Sequence, residues 1–142
     1  MSESKLLQRL SDPARSGVYR TSLEADLRAV LAAGAHDLAV VKLGDGKDAI
    51  LAALSRSLGF PDWFGGNWDA LEDCLTDLSW RPAGPRVVLL LDAKAGDDLG
   101  ILVDVLRAAA ESWRERGHAF FAVFIDPGRR LALPDLYREK PP

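Results

Sequence analysis

The sequence predicts an α/β fold in which a small parallel sheet of three or four strands packs with helices. Strand-like segments alternate with helix-like segments along the chain, which is the order of βα units in a parallel sheet. Residues 86–91 and 119–125 are almost wholly apolar and do not alternate with polar residues. Such runs are typical of strands that are covered on both faces.

The first predicted elements are a short strand and a helix. Residues 17–20 have strand-like character, and Thr21 with Glu24 matches the capping box that begins many helices. This helix is predicted to end near Gly34. Its apolar face consists of Leu23, Leu27, Val30 and Leu31.

A second strand and helix follow. Residues 37–43 (DLAVVKL) predict a strand, after which Asp45 is placed to cap a helix that ends at Gly59. The apolar residues of this helix recur at helical spacing. They are Ile50, Leu51, Leu54 and Leu58.

The second half of the chain continues the alternation. An unusual loop, residues 60–66, precedes a predicted helix over about 67–78. Beyond the strand that follows, Asp97 or Asp98 can cap a long helix that ends at Gly117.

The chain length fits one domain with one core. We expect residues 37–125 to form that domain, with residues 1–36 as an N-terminal extension whose strand and helix pack on it. Residues 126–142 combine prolines with charged residues and are expected to form a peripheral, loosely packed tail.

Composition limits the possible functions. Apolar residues make up 48% of the 142 residues, and 18 basic against 21 acidic residues give a net charge of −3. These values indicate a soluble globular protein and argue against a general nucleic-acid binder, which carries a basic excess. No apolar run approaches the roughly 20 residues that cross a bilayer, and the start lacks a signal-peptide core. With Cys74 as its one cysteine, the chain is expected to be cytoplasmic and without an internal disulfide.

Residues 60–80 differ in composition from the rest and form the candidate functional segment. They contain three of the four tryptophans, and no Lys or Arg occurs between Arg56 and Arg81. The carboxylates of this segment are Asp62, Asp69, Glu72, Asp73 and Asp77.

Helical spacing separates this segment into two faces. The polar face consists of Asp69, Glu72, Asp73 and Thr76, and the opposite, core-facing side consists of Leu71, Cys74, Leu75 and Leu78. Like charges at this spacing repel by about 0.2–0.5 kcal/mol per pair. An acidic helix face is most often plain solvated surface, and that interpretation stays open at this point.

The aromatic residues favour a binding surface over plain solvated surface. Trp63 stands beside paired glycines, where a large ring has little to bury against, and Asn67 is placed to cap the helix and fix the loop at an angle to it. Trp68 and Trp80 are expected to be core or half-core residues. Rigid aromatics beside an acidic face are what a protein-binding hot spot requires.

The stretch PDWFGGNWDALEDCLT, residues 61–76, resembles the barstar family, the intracellular inhibitors of barnase-type secreted ribonucleases. The resemblance extends over residues 37–125. It implies a barstar-like fold and a bacterial immunity or antitoxin protein, acting as a monomer or in a 1:1 complex. The implied partner is a basic ribonuclease or related toxin, whose active-site groove the loop and the following helix plug.

The resemblance also implies residue roles. Trp63 would stack over the groove, while Asp69 and Asp73 would face the cations that hold RNA phosphate, with Asp73 as the central phosphate mimic. A preorganised carboxylate can satisfy such donors through charge-assisted hydrogen bonds. The remaining implied contacts are Asn67 and the backbone around Gly66 and Trp68 at the rim, and Thr76 at the edge. Glu72 is added to the candidate contacts by its position on the acidic face, not by the resemblance.

The chain departs from the family's namesake within this surface. Glu72 and Leu78 stand where the namesake has tryptophans. Ser112 and Arg116 stand where the last helix of the namesake contributes acidic contacts. The acidic residues that could compensate on a rotated face are Glu111 and Glu115.

An enzyme is the main competing class, but the sequence contains few residues suited to catalysis. Cys74 falls on the core-facing side of its helix, where a buried thiol is usual. His36 and His118 precede strands and lack metal-ligand spacing. Asp69 with a neighbouring carboxylate could form a glycosidase pair only in a cleft, which a convex helix seldom supplies.

The glycine-containing segment 44–46 lacks the pattern of a phosphate-binding loop. We therefore expect no catalysis, no cofactor and no metal site. The alternative that remains is a non-inhibitory interaction or regulatory module on a barstar-like scaffold, because a fold does not determine function.

Overall fold

The computed structural model describes residues 3–137, which form an α/β fold of five α-helices and four strands. A 3-10 turn, Pro13–Arg15, leads into the first strand. In chain order the elements are α1 (Glu3–Leu10), β1 (Gly17–Thr21), α2 (Glu24–Ala32), β2 (Asp37–Lys42), α3 (Lys47–Leu58), α4 (Trp68–Asp77), β3 (Arg86–Leu91), α5 (Asp97–Glu115) and β4 (Phe120–Ile125).

The four strands form one parallel sheet in the order β1-β4-β3-β2. In the register of the sheet Gly17 lies opposite Phe121, and Asp37 lies opposite Arg86. The two central strands, β3 and β4, are buried along almost their whole length. The predicted class and the parallel sheet are confirmed.

Helices cover both faces of the sheet, which explains the unalternating strands. Val88 and Leu90 of β3 point into a core shared with α3, α4 and α5. Val87 and Leu89 point into a second core shared with α1 and α2. Since every second side chain of a strand faces the same side, both sets of positions must be apolar when both sides are covered.

The start of α2 differs from the sequence expectation. Its N-cap is Leu23 and makes no side-chain capping bond, so the predicted box of Thr21 with Glu24 is wrong. Thr21 is instead the last residue of β1, and its carbonyl accepts a hydrogen bond from the Asp126 N–H at 2.8 Å. The Thr21 Oγ1 accepts a hydrogen bond from the Leu23 N–H at 3.3 Å, which lies before the first turn of α2.

The starts of α3 and α5 also differ from expectation, because both N-caps are glycines, Gly46 and Gly96. Asp45 is exposed and lies 3.5 Å from Lys94 Nζ instead of capping α3. Asp97 and Asp98 lie inside the first turn of α5, where negative charge still interacts favourably with the helix dipole.

Residues 126–137 are packed on the sheet, so the expected loose tail is wrong for this part of the chain. Leu136 and Tyr137 belong to the core beneath α1 and α2. Asp126 is 6% exposed and pairs with Arg20 of β1, which is 2% exposed. A buried guanidinium requires a carboxylate partner, and that requirement holds the segment in place. Residues 138–142 lie outside the described residues.

Helix α1 had no counterpart among the sequence predictions. Leu6 and Leu10, four residues apart, bury it against the core shared with α2. Among the helices of residues 3–137, none combines the length and apolarity that crossing a membrane needs.

Candidate protein-binding surface

Helix α4 presents the candidate surface, and its start is fixed as the sequence predicted. Asn67 is the N-cap, with its Oδ1 accepting a hydrogen bond from the Ala70 N–H at 2.7 Å. Gly66 has a φ of 68°, in the left-handed region that glycine occupies without steric cost. Together they set the angle between the loop and the helix.

The buried side of α4 holds the helix to the core. Its predicted core-facing residues are all buried, including Leu78, which follows the last helical residue as the C-cap. Leu78 has a left-handed φ of 51°. This conformation costs a branched residue about 1–2 kcal/mol, and complete burial of its side chain offsets that cost.

Helix α5 fixes the other end of α4 through two hydrogen bonds to backbone carbonyls. Trp113 Nε1 donates to the Leu75 carbonyl at 2.7 Å, and Arg116 Nη2 donates to the Thr76 carbonyl at 2.7 Å. These carbonyls lie in the last turn, where a helix leaves acceptors unsatisfied. Both ends of α4 are therefore anchored, and its outer side is held at a defined position.

The outer side of α4 carries the acidic face, defined by Asp69, Glu72 and Asp73. All three are exposed, with Thr76 half-buried at the edge. Within residues 3–137, no Lys or Arg forms an ion pair with these three or with the segment's other carboxylates, Asp62 and Asp77. The predicted exposure of the acidic face is confirmed.

Trp63 projects from the loop beside this face. Its side chain is 58% exposed, which is unusual for so large an apolar ring. It packs edge-to-face on Trp80, with ring centroids 6.3 Å apart and an interplanar angle of 83°. The Trp80 ring is held in turn by Nε1 donating to the Leu58 carbonyl at 2.9 Å. The exposed ring thus stands on a fixed aromatic support.

The same aromatic cluster includes Phe60 and Phe64, whose ring centroids are 4.9 Å apart. Phe60 also contacts Trp80 edge-on at 6.1 Å. Trp68 and Trp80 are half-buried, as predicted. The support that Trp80 gives to Trp63 had no signal in the sequence, because the two residues meet only through the fold.

Two of the candidate contacts already use part of their hydrogen-bonding capacity. The Thr76 hydroxyl donates to the carbonyls of Glu72, at 2.9 Å, and Asp73, at 3.2 Å. In this rotamer Thr76 can only accept a hydrogen bond from a partner. Asn67 Oδ1 is occupied by the cap, which leaves its amide N–H groups as the donors that could face a partner.

Arg116 is the residue of this surface whose position the sequence did not give. Its guanidinium lies against the end of α4 and over the Trp113 ring, 3.8 Å from the ring centroid. Glu111, which could compensate for the acidic contacts of the namesake, accepts two hydrogen bonds from Arg114. Those hydrogen bonds lower the pKa of Glu111 below its ordinary value.

The surface has no nucleophile or metal-binding geometry in the part of the chain that the structure describes. Burial raises the pKa of the Cys74 thiol, and the charges of Asp73 and Asp77 raise it further. A thiol that stays protonated in the core is a poor nucleophile. Residues 3–137 contain no cluster of His, Cys, Asp and Glu that could hold a metal ion.

The family comparison agrees with this geometry. The family model described as barstar (barnase inhibitor) matches residues 40–125, more than half of the chain. The chain belongs to the barstar family. The matched residues include the loop, α4 and Arg116, and thus the whole candidate surface of this barstar-family protein. No curated protein matches the chain in a sequence search.

Membership gives a function at the level of the family. A barstar domain is typical of inhibitors of the barnase type, which act by binding a ribonuclease and are not enzymes. The sheet, the three helices on one of its faces and the exposed α4 agree with that assignment.

Proposed function

We propose that this chain inhibits a basic ribonuclease or related toxin by filling its active-site groove with Trp63 and the acidic face of α4. The complex is 1:1 and forms in the cytoplasm, where an inhibitor protects the cell that makes the nuclease. The acidic face replaces RNA phosphate. The partner is a protein, and the chain itself binds no nucleic acid.

The observation that carries the proposal is a set of exposed carboxylates that have no cationic partner of their own. Asp69, Glu72 and Asp73 repel one another on one helix face, and nothing in residues 3–137 neutralises them. A cationic groove removes this repulsion on binding. Because α4 is anchored at both ends, the helix meets that groove with little loss of backbone freedom.

The cations that hold RNA phosphate are suited to accept a carboxylate. Arg, Lys and His⁺ donate charge-assisted hydrogen bonds that are shorter and stronger than those between neutral groups. We assign the central position to Asp73, in the middle of α4, and a flanking position to Asp69. Glu72 completes the negative potential, which also accelerates association with a positively charged protein.

Trp63 supplies the apolar part of the contact. A flat exposed ring beside the acidic face can cover the groove and exclude water from the ion pairs next to it, which strengthens them. Its edge-to-face packing on Trp80 fixes the ring before the partner arrives. Around this centre we place rim contacts at Gly66, Asn67, Trp68 and Thr76.

The test uses the tagged full chain to capture its partner from cells that express both proteins. The proposal expects a basic ribonuclease or toxin whose RNA cleavage stops at a 1:1 ratio. Asp73→Asn should weaken the complex by about 3–5 kcal/mol, the usual cost of breaking a buried ion pair. That is more than a hundredfold in Kd.

The matched control is Asp104→Asn, which removes the same charge from an exposed position on α5. It should leave Kd within about twofold. Equal affinities of the two variants would show that the acidic face is not the contact. A partner without RNA-cleaving activity would favour the non-inhibitory interaction module on the same scaffold.

A further inference from the structure

Arg116 places a positive charge at the C-terminal end of the acidic face. Its Nη2 donates to the carbonyl of Thr76, the residue at the edge of that face. Asp73 lies one helical turn before this contact. The candidate surface therefore has two signs of charge, negative along α4 and positive where α4 meets α5.

The guanidinium is held in this place by several contacts. Besides the Thr76 carbonyl, it donates from Nε to the Ser112 carbonyl at 3.2 Å and from Nη2 to Ser112 Oγ at 3.1 Å. It also lies over the Trp113 ring, 3.8 Å from the centroid. The negative end of the α4 dipole adds to its retention. Moving Arg116 away from an approaching partner would break all of these interactions.

Arg116 is exposed. No carboxylate in residues 3–137 forms an ion pair with it, so its charge is not neutralised within the protein. Glu111, five residues earlier, accepts a hydrogen bond from Arg114. Arg86, which contacts the same Trp113 ring at 4.5 Å, is itself a cation that lies 4.0 Å from Asp37, and it offers Arg116 no compensation. A partner that covers the end of α4 must therefore accommodate a fixed cation.

We propose that Arg116 selects the partner. The inhibited protein carries a carboxylate or a neutral hydrogen-bond acceptor opposite Arg116, at the rim of a groove that is otherwise basic. Nucleases whose rim is basic at this point are rejected by like-charge repulsion. This inference rests on the proposed function, since it concerns the same surface.

The test uses barnase as the probe, because the family is described by its inhibition of that ribonuclease and an RNA-binding rim is cationic. Kd is measured for the wild-type chain, Arg116→Gln and Arg116→Glu. Each is also tested with Asp73→Asn added. We expect the affinity for barnase to rise from wild type to Arg116→Gln to Arg116→Glu. The Arg116→Glu variant should bind more tightly than wild type by roughly tenfold or more.

Arg107→Glu is the control for a general change in net charge. It makes the same charge change on α5, and the rotation of about 100° per residue puts it on the other side of that helix. It should leave the affinity close to that of wild type. Thermal unfolding of each variant separates binding effects from loss of the fold.

The remaining outcomes separate this inference from the proposed function. If both Arg116 variants bind barnase no better than wild type while Asp73→Asn abolishes binding, Arg116 does not face the partner and only the inference fails. If Asp73→Asn has no effect in any background, the acidic face is not the contact and the proposed function fails with it. If neither wild type nor Arg116→Glu binds barnase, the inference is also overturned, because Arg116 is then not what excludes that partner.

Discussion

At the scale of single residues, this surface separates exposed groups, to which we assign partner binding, from groups that hold them in place. Trp63 contributes an exposed ring, whereas Trp80 supports it from a half-buried position with its Nε1 bonded to the Leu58 carbonyl. The same division holds on α4, where Asp73 is exposed and its neighbour Cys74 is buried. Adjacent residues can therefore be expected to respond very differently to substitution.

Trp63→Ala should weaken partner binding strongly and lower the melting temperature less than Trp80→Ala does, because 58% of Trp63 is exposed in the unbound protein. Trp80→Ala should lower both the affinity for the partner and the melting temperature, since it removes a partly buried ring and a hydrogen bond. Calorimetric titration measures the binding of the two variants, and thermal unfolding measures their stability. Ile101→Ala, which shortens an apolar residue on α5 that is 40% exposed, should leave partner binding unchanged.

Some residue-scale features follow from the sequence and others do not. The two faces of α4 were predictable because helical spacing alone assigns them. The location of Arg116 was not, because it depends on how α5 crosses the end of α4, and packing between distant segments leaves no periodic signal. The contact between Trp63 and Trp80 depends in the same way on the path of the loop.

At the scale of elements, α4 was the best predicted helix, and the reason is its cap. Asn67 is the last residue before the helix, and its side chain accepts a hydrogen bond from the Ala70 N–H. The preference of Asn for the N-cap position therefore agrees with the observed start of α4. Where a glycine caps instead, as at Gly46 and Gly96, the neighbouring aspartates gave the wrong start. Helix α1 was missed, since eight residues give only two turns of pattern.

Asn67→Ala should destabilise the protein by about 0.5–2 kcal/mol, because the Ala70 N–H loses its acceptor. Urea unfolding with an unchanged m-value is the appropriate measurement. Asn67→Ser retains a capping oxygen and should recover most of the loss. An alanine variant as stable as wild type would show that the cap does not hold α4.

At the scale of the whole molecule, the described residues outside the matched range 40–125 contribute to one fold with those inside it. Arg20 of β1 donates to Asp126 and Asp135 beyond the last strand, so the two ends of the chain share a buried ion-pair cluster. The sequence showed prolines and charges here and suggested a loose tail. It could not show that some of those charges neutralise a buried arginine.

Asp126→Asn should destabilise the protein by about 1.5–3 kcal/mol at neutral pH, because Arg20 loses one charge-assisted partner while Asp135 still pairs with it. Burial by itself would raise the pKa of Asp126. The N–H groups of Leu131 and Arg130, together with Arg20, outweigh that effect and lower the pKa below its ordinary value of 3.8.

The stability that Asp126 provides is therefore fully present above pH 3.8 and is lost as the pH falls through the lower pKa of the folded state. The difference between wild type and Asp126→Asn in unfolding free energy should shrink in acid. Unfolding curves between pH 7 and about 2 test this, with Asp104→Asn as the exposed counterpart. A difference that stays constant with pH would contradict it.

The segment beyond β4 also borders the sheet. The Arg20 N–H donates to the Pro134 carbonyl, and the Leu136 N–H donates to the Arg20 carbonyl, both at 2.9 Å. This short stretch occupies hydrogen-bonding positions along β1 that a strand from another molecule would otherwise use. A chain cut after Ile125 would lose that shield as well as the partners of Arg20. We expect such a chain to be destabilised and to self-associate through the uncovered edge of β1.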